Sequence, residues 1–208
     1  MSIALLDHAE RSAPEMEWQA QKNLKELAES EGWDYGDYDA ERQSLELDYR
    51  HWVPKYNAYS AIILLCSVLE SRLSACAVRV GKERESAFRL RDTKGSPLDA
   101  ASLFLNRVAG LDVTTDSAWP YLRDVQNVRN IIVHRGGQRG DDPKHQKEFD
   151  ELLARHTGKL SRSENVPFGE EVWVSVQFCR ASVEQVQGFF KRLFARLGFP
   201  HSGYLRQP

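Results

Sequence analysis

At 208 residues the chain is long enough to bury the core of one domain and short for two. Charged residues make up 28% and the apolar class 41%, an ordinary soluble composition, and no uninterrupted apolar run reaches the ~18 residues of a membrane span. Met1 to Ala13 lacks the basic start and apolar centre of a secretory signal, so the expected location is cytoplasmic, with no membrane partner. The formal charge of −2 hides an asymmetry: residues 1–60 are strongly acidic, and the remainder carries a basic excess.

From the N-terminus, Ser12-Ala-Pro-Glu15 has the form of a capping box, which places a helix over Met16 to Ser30 that stops at Gly32. Trp33 to Asp39 is acidic, aromatic and turn-like and is read as a connection, either a solvated loop with packed tyrosines or a partner-facing patch. With the preceding helix it forms an acidic N-terminal extension over residues 1–40. A helix follows from Ala40 to Trp52, where Pro54 ends or kinks it.

Tyr56 to Val80 is the longest apolar helix, and its almost all-round hydrophobic surface requires burial on several sides. Cys66 and Cys76 fall within it as small core residues; with Cys179 they make an odd three and no C-x-x-C pair, so neither a disulfide framework nor a zinc site is indicated. Glu70 interrupts the helix. It either reaches a buried cation, or faces water or pairs with a neighbouring surface Arg. Arg79 to Lys94 is a helix end followed by a loop, in which Arg89, Arg91 and Lys94 form either a phosphate-backbone track or a solvated mixed-charge face. Ser96-Pro97 opens a short helix to about Val108.

Trp119 to Gly137, WPYLRDVQNVRNIIVHRGG, organises the rest. Trp119, Leu122, Val125, Val128, Ile131 and Ile132 recur at three- and four-residue steps, and consecutive Ile131, Ile132 and Val133 leave little room for a solvated face, so a central helix is expected. Ser117 is its expected N-cap, and Gly136-Gly137 closes it. His134 then lies in the last turn, where the unpaired carbonyls favour a protonated imidazole. Asn130 is one turn back on the same face, and Arg129 lies about 140° around the helix from His134. A permanent planar cation and a proton-transfer group together suit phosphoryl transfer.

Beyond it, Gln138 to Pro143 reads as an exposed loop, Lys144 to Arg155 as a peripheral helix and Thr157 to Phe168 as another loop. Alternation across residues 171–178, with Val172, Val174, Val176 and Phe178 against Trp173, Ser175 and Gln177, argues a short extended segment. Ser182 to Gln185 looks like a capping box opening the last helix, which runs through Leu197. His8, His51, His145, His156 and His201 are scattered singly without metal-ligand spacing, and no phosphate loop, dinucleotide fingerprint or nucleophile elbow is present, so neither a metal nor a cofactor is expected.

Arg129, Asn130 and His134, in RNIIVH, resemble the arginine, polar residue, short spacer and histidine of HEPN domains, many of which are metal-independent RNases. The resemblance covers roughly Tyr49 to Gly137 and, more loosely, the C-terminal helix over 182–197. It implies an all-α, HEPN-like helical bundle in a single domain, assembled as a homodimer with two motifs facing one cleft. It also implies cleavage of RNA by 2′-hydroxyl attack. Arg129, Asn130 and His134 would be the catalytic residues, Glu70 a group orienting Arg129 or His134, and Arg135 a further RNA contact beside Arg89, Arg91 and Lys94. Such nucleases are often toxins or antiviral-defence effectors, restrained by an antitoxin or other regulatory protein. Members silenced by a nucleotidyltransferase carry a tyrosine two residues after the histidine, where this chain has Gly136. The alternatives are a non-catalytic HEPN module binding nucleotide, RNA or a protein, and a plain bundle in which Arg129 satisfies a buried carboxylate and His134 caps the helix. A site open to a basic cleft favours the first two; a sealed one favours the last.

Overall fold

The computed structural model describes residues 3–163 and 169–199, with backbone alone for 3–11. The His8 side chain, His201 and residues 164–168 of the expected loop lie outside the described residues. The fold is all-α: seven α-helices and one two-stranded sheet among the described residues, in the order α1 (Ile3–Glu31), α2 (Tyr35–Leu47), α3 (Val53–Glu83), α4 (Pro97–Ala109), α5 (Trp119–Arg135), α6 (Pro143–Arg155), β1 (Leu160–Ser163), β2 (Glu171–Val174) and α7 (Val176–Leu197), with a π turn over Asp48–Trp52 and a 3-10 turn over Leu90–Asp92.

α3 is the spine. Ile62, Leu69, Leu73 and Ala77 are fully buried along it, and α4, α5 and α7 pack on its sides. The helical run Tyr35–Glu83 is apolar enough by length and composition to cross a membrane. Here much of that apolar surface faces the other helices. α5 runs antiparallel to α3, since Tyr59 near the start of α3 stands against Gly137 just beyond the end of α5, whereas Cys66 lies opposite Val125.

Several helix boundaries differ from expectation. Pro54 neither ends nor interrupts the helix: it has no N–H for the carbonyl of Arg50, and the turn upstream widens into a π turn over Asp48–Trp52, where Val53 N–H bonds to the carbonyl of Asp48. The run from Tyr35 to Glu83 is thus continuous over 49 residues. α1 begins well before Ser12 and carries Pro14 inside, so Ser12 to Glu15 is not a helix start. The Trp33 to Asp39 connection is shorter than expected, because Asp34 caps α2 by accepting the Asp37 N–H at 3.0 Å. Ser117 does not cap α5. The N-cap position is Ala118, with no side-chain cap, and Asp116 shapes the turn before it, accepting Ala118 N–H at 2.9 Å while Arg192 of α7 grips its carboxylate at 2.6 and 2.8 Å.

At the C-terminal end, part of the expected Thr157 to Phe168 loop is strand β1, paired antiparallel with β2 from Leu160↔Val174 to Ser163↔Glu171. The period-two pattern stops at Val174. Ser175 accepts the Phe178 N–H at 3.2 Å and opens α7 there, so Val176 and Phe178 are helical, and Ser182 lies inside the helix with its hydroxyl bonded to the Phe178 carbonyl at 2.7 Å. Two expected burials also fail. Val133 is 44% exposed and Leu64 48%, because α3 and α7 cover only part of α5, and the outer face of α3 has no partner helix among the described residues.

Candidate functional site

The C-terminal half of α5 presents Asn127, Asn130 and His134 to solvent, at i, i+3 and i+7 on one face. Together with Ile131, Arg135 and the α6 residues His145, Glu148, Glu151, Leu152 and Arg155 they line an open cleft of about 580 Å³ between α5 and α6. Arg129 is half-buried on the flank of that face, outside the cleft lining, and its Nη1 donates to Asn130 Oδ1 at 3.1 Å. The three motif residues thus form one patch, with Arg129 tied to the wall that carries His134. Asn130 is turned toward Arg129 and not toward His134.

The geometry of that wall is set beyond the helix end. Gly136 takes the left-handed conformation, φ +63°, that ends α5, and Gly137 continues at φ +93°. The Gly137 carbonyl accepts Val172 N–H at 2.9 Å, docking the end of α5 onto β2. Arg135 turns back to donate to the Arg139 carbonyl at 2.8 Å. Arg139 and Arg162 both bridge Asp150 and Glu170, at 2.5 to 3.2 Å, so that α6, β1 and the approach to β2 are clamped by one ion-pair ring. Each pair is partly exposed and individually weak; the closed ring lends geometric constraint.

The inner end of the cleft is anchored by Asp124. Its carboxylate accepts Arg155 Nε and Nη2 at 3.1 and 2.7 Å, and His156 Nε2 lies 2.9 Å from Oδ2. Burial alone would raise the Asp124 carboxyl, but the bonds from His156 and Arg155 outweigh it and hold it below the usual carboxylate range. His156 is itself buried, with the Tyr121 and Phe178 rings edge-on at 5.0 and 5.1 Å, so the Asp124–His156 pair holds structure and only Arg155 reaches the cleft. The charge of Arg155 is committed to Asp124. The cleft as a whole is mixed in sign, Arg135 of α5 lining it together with Glu148 and Glu151 of α6.

Other expected participants are elsewhere. Glu70 is half-buried on α3 and makes no ion pair with Arg129 or His134 among the described residues; both Glu70 and Arg129 act on Cys66, whose thiol burial pushes up to about 12, Glu70 adding to the rise and Arg129 opposing it. Arg89, Arg91 and Lys94 are exposed in the loop beyond the far end of α3. From Tyr59, which touches the end of α5, to Lys82 the helix rises about 35 Å at 1.5 Å per residue. That basic loop and His134 are therefore at opposite ends of α3 and share no surface. No group of three or more His, Cys, Asp or Glu side chains that could hold a metal occurs among the described residues.

Sequence reasoning missed Asn127 and the whole α6 wall. Asn127, Asn130 and His134 were legible as one polar stripe at helical spacing, but nothing in the sequence brings His145 to the same cleft. The chain matches no protein-family model, no curated protein and no solved structure.

Proposed function

We propose that this chain is a metal-independent endoribonuclease of HEPN type. The observation that carries the reading is that Arg129, Asn130 and His134 form one accessible patch on the rim and wall of an open cleft and satisfy no buried group of the fold. The buried carboxylates are satisfied by other groups: Asp124 by Arg155 and His156, Glu171 by Lys55. This favours the two cleft-based readings over the plain-bundle alternative, in which Arg129 is sealed against a buried acid.

In the reaction, the RNA 2′-oxygen attacks the adjacent phosphorus and the 5′-oxygen leaves, giving a 2′,3′-cyclic phosphate and a 5′-hydroxyl. His134 moves one of the two protons. Arg129 places its guanidinium toward the phosphorane oxygens, where charge builds in the transition state, and Asn130 holds Arg129 in register through their hydrogen bond. Arg135 is an additional phosphate contact. A homodimer and a restraining protein partner follow from the same resemblance, as do a cytoplasmic setting and a role as toxin or defence effector.

A second reading, a non-catalytic module binding RNA, nucleotide or protein, draws support from Glu148 and Glu151, which face the cleft and repel a phosphate. RNA cleavage in excess chelator, by wild type beside Arg129→Ala and His134→Ala, separates the two. The nuclease reading expects cyclic-phosphate ends from wild type and a loss of at least about a hundredfold in each variant. An inert, folded wild type that still binds RNA would support the second reading.

A further inference from the structure

The cleft contains two histidines, and only one belongs to the motif. We propose that His145, on α6, is the second proton-transfer residue of this site, acting on the same phosphodiester as His134. The inference rests on the nuclease reading.

The loop after α5 turns the chain back on itself so that the first turn of α6 faces the last turn of α5. Gly140 sits at the fold-back: a Cβ placed on it would lie 3.3 Å from Arg135 Nη1 and 3.7 Å from His145 Cβ, so Arg135 and His145 flank the same residue. His134 immediately precedes Arg135, and both histidines are exposed and line the one cleft. The positions are held from outside the cleft. Asp142 caps α6, accepting the N–H groups of Lys144 and His145 at 2.8 and 3.3 Å, and Gln146 Nε2 donates to the Gly140 carbonyl at 3.3 Å. Among the described residues the His145 ring makes no hydrogen bond and no ring contact, although it acts electrostatically on the cap residue Asp142.

Transesterification by a 2′-hydroxyl moves two protons at once. One imidazole takes the 2′-hydroxyl proton as the P–O2′ bond forms; a second, protonated, gives its proton to the 5′-oxygen as the P–O5′ bond breaks. The two rings finish with exchanged protonation, and transfer through water resets them. A single histidine cannot stand on both sides of an in-line displacement at the same moment. His134 on one wall and His145 on the other supply the pair within one chain. The charged groups facing His145 are Asp142, Lys144 and Glu148 from its own helix and Arg135 from α5, with Glu151 and Arg155 deeper along α6.

The test uses the full chain and two RNA dinucleotides, one natural and one with sulfur replacing the bridging 5′-oxygen, a leaving group that needs no proton. Wild type, His134→Ala, His145→Ala, His145→Gln and Glu148→Gln are compared for kcat and KM. The inference expects both His145 variants to lose about a hundredfold or more in kcat with KM little changed. It further expects the sulfur substrate to restore one of the two histidine-to-alanine variants and not the other. If the His145 variants stay within about threefold of wild type, or lose KM alone, or if the loss is confined to Glu148→Gln, His145 has no such role. Inert wild type on both substrates overturns the nuclease reading and this inference with it; active wild type with active His145 variants overturns the inference alone.

Discussion

Tyr59 occupies the space that any side chain on Gly137 would need. Its ring is packed over the glycine, its hydroxyl donates to the Val172 carbonyl at 2.7 Å, and Gly137 passes beneath at φ +93°. The contact joins the start of α3, the end of α5 and strand β2 at one point, directly behind the wall that carries His134. Burial pushes the Tyr59 hydroxyl well above its ordinary range, with Glu171 adding to the rise, so it remains a neutral donor.

Gly137→Ala should therefore cost roughly 2–4 kcal/mol, from the steric conflict with Tyr59 and the left-handed backbone together. Gly136→Ala should cost only about 1–2 kcal/mol, because Gly136 is left-handed but has open space around its missing Cβ. Chemical denaturation of both variants checks the ordering. Equal losses would mean that the Tyr59 contact gives way easily.

Lys55 and Glu171 form a buried ion pair at 2.6 and 2.7 Å, with the Lys55 ammonium 4.6 Å from the Trp52 ring centre. Removing one partner leaves a charge with no water and no counter-ion. Lys55→Met should destabilise by about 3–5 kcal/mol, and adding Glu171→Leu should recover a substantial part of that loss. A double-mutant cycle in urea measures the coupling; additive losses would show that the pair does not act as a unit.

Asp124 gives the fold an acid-sensitive point. Burial opposes its ionisation, yet His156 and Arg155 together lower its carboxyl below the ordinary value. A depressed carboxyl contributes stability that is present above the unfolded value of about 3.9 and is lost as pH falls through the lower, folded one. Asp124→Asn should be less stable than wild type at neutral pH by about 1–3 kcal/mol, and the difference should shrink below pH ~4. A difference that stays constant down to pH ~2 would place the effect in packing and not in charge.

Cys66, Cys76 and Cys179 are all buried, and burial is the main cause that pushes their thiols up, to about 12, 11 and 12. Thiolate is the reactive form, so none should react with an aromatic disulfide reagent at about pH 8 in the native protein, and all should react in denaturant. Fast labelling of the native chain would reveal local opening of α3 or α7.

The helices of this fold are legible wherever burial and periodicity coincide. The apolar steps of α5, the Gly136-Gly137 stop and the Ser96-Pro97 start of α4 appear in the structure as they read. Boundaries failed where two local signals compete. Ser12 and Ser182 look like caps, but each is followed and preceded by good helix formers, and at Ser182 the longer helix also buries Phe178 and Cys179. At residues 171–178 the alternation is real only to Val174, since Ser175 offers a helix cap that ends the strand.

What the sequence determined by itself is a helical chain with one long apolar spine and a second buried helix carrying Arg129, Asn130 and His134 near its end, because periodicity and capping act within a few residues along the chain. The tertiary structure alone decided which faces meet. It laid α6 across the cleft from α5 and so brought His145 to the cleft that His134 lines, it placed the basic loop at the opposite end of α3, and it gave Asp124 and Glu171 their partners. These relations depend on how helices stack and how a turn such as Gly136 to Asp142 folds back. No local pattern encodes them, since each joins residues whose separation in sequence says nothing about their separation in space.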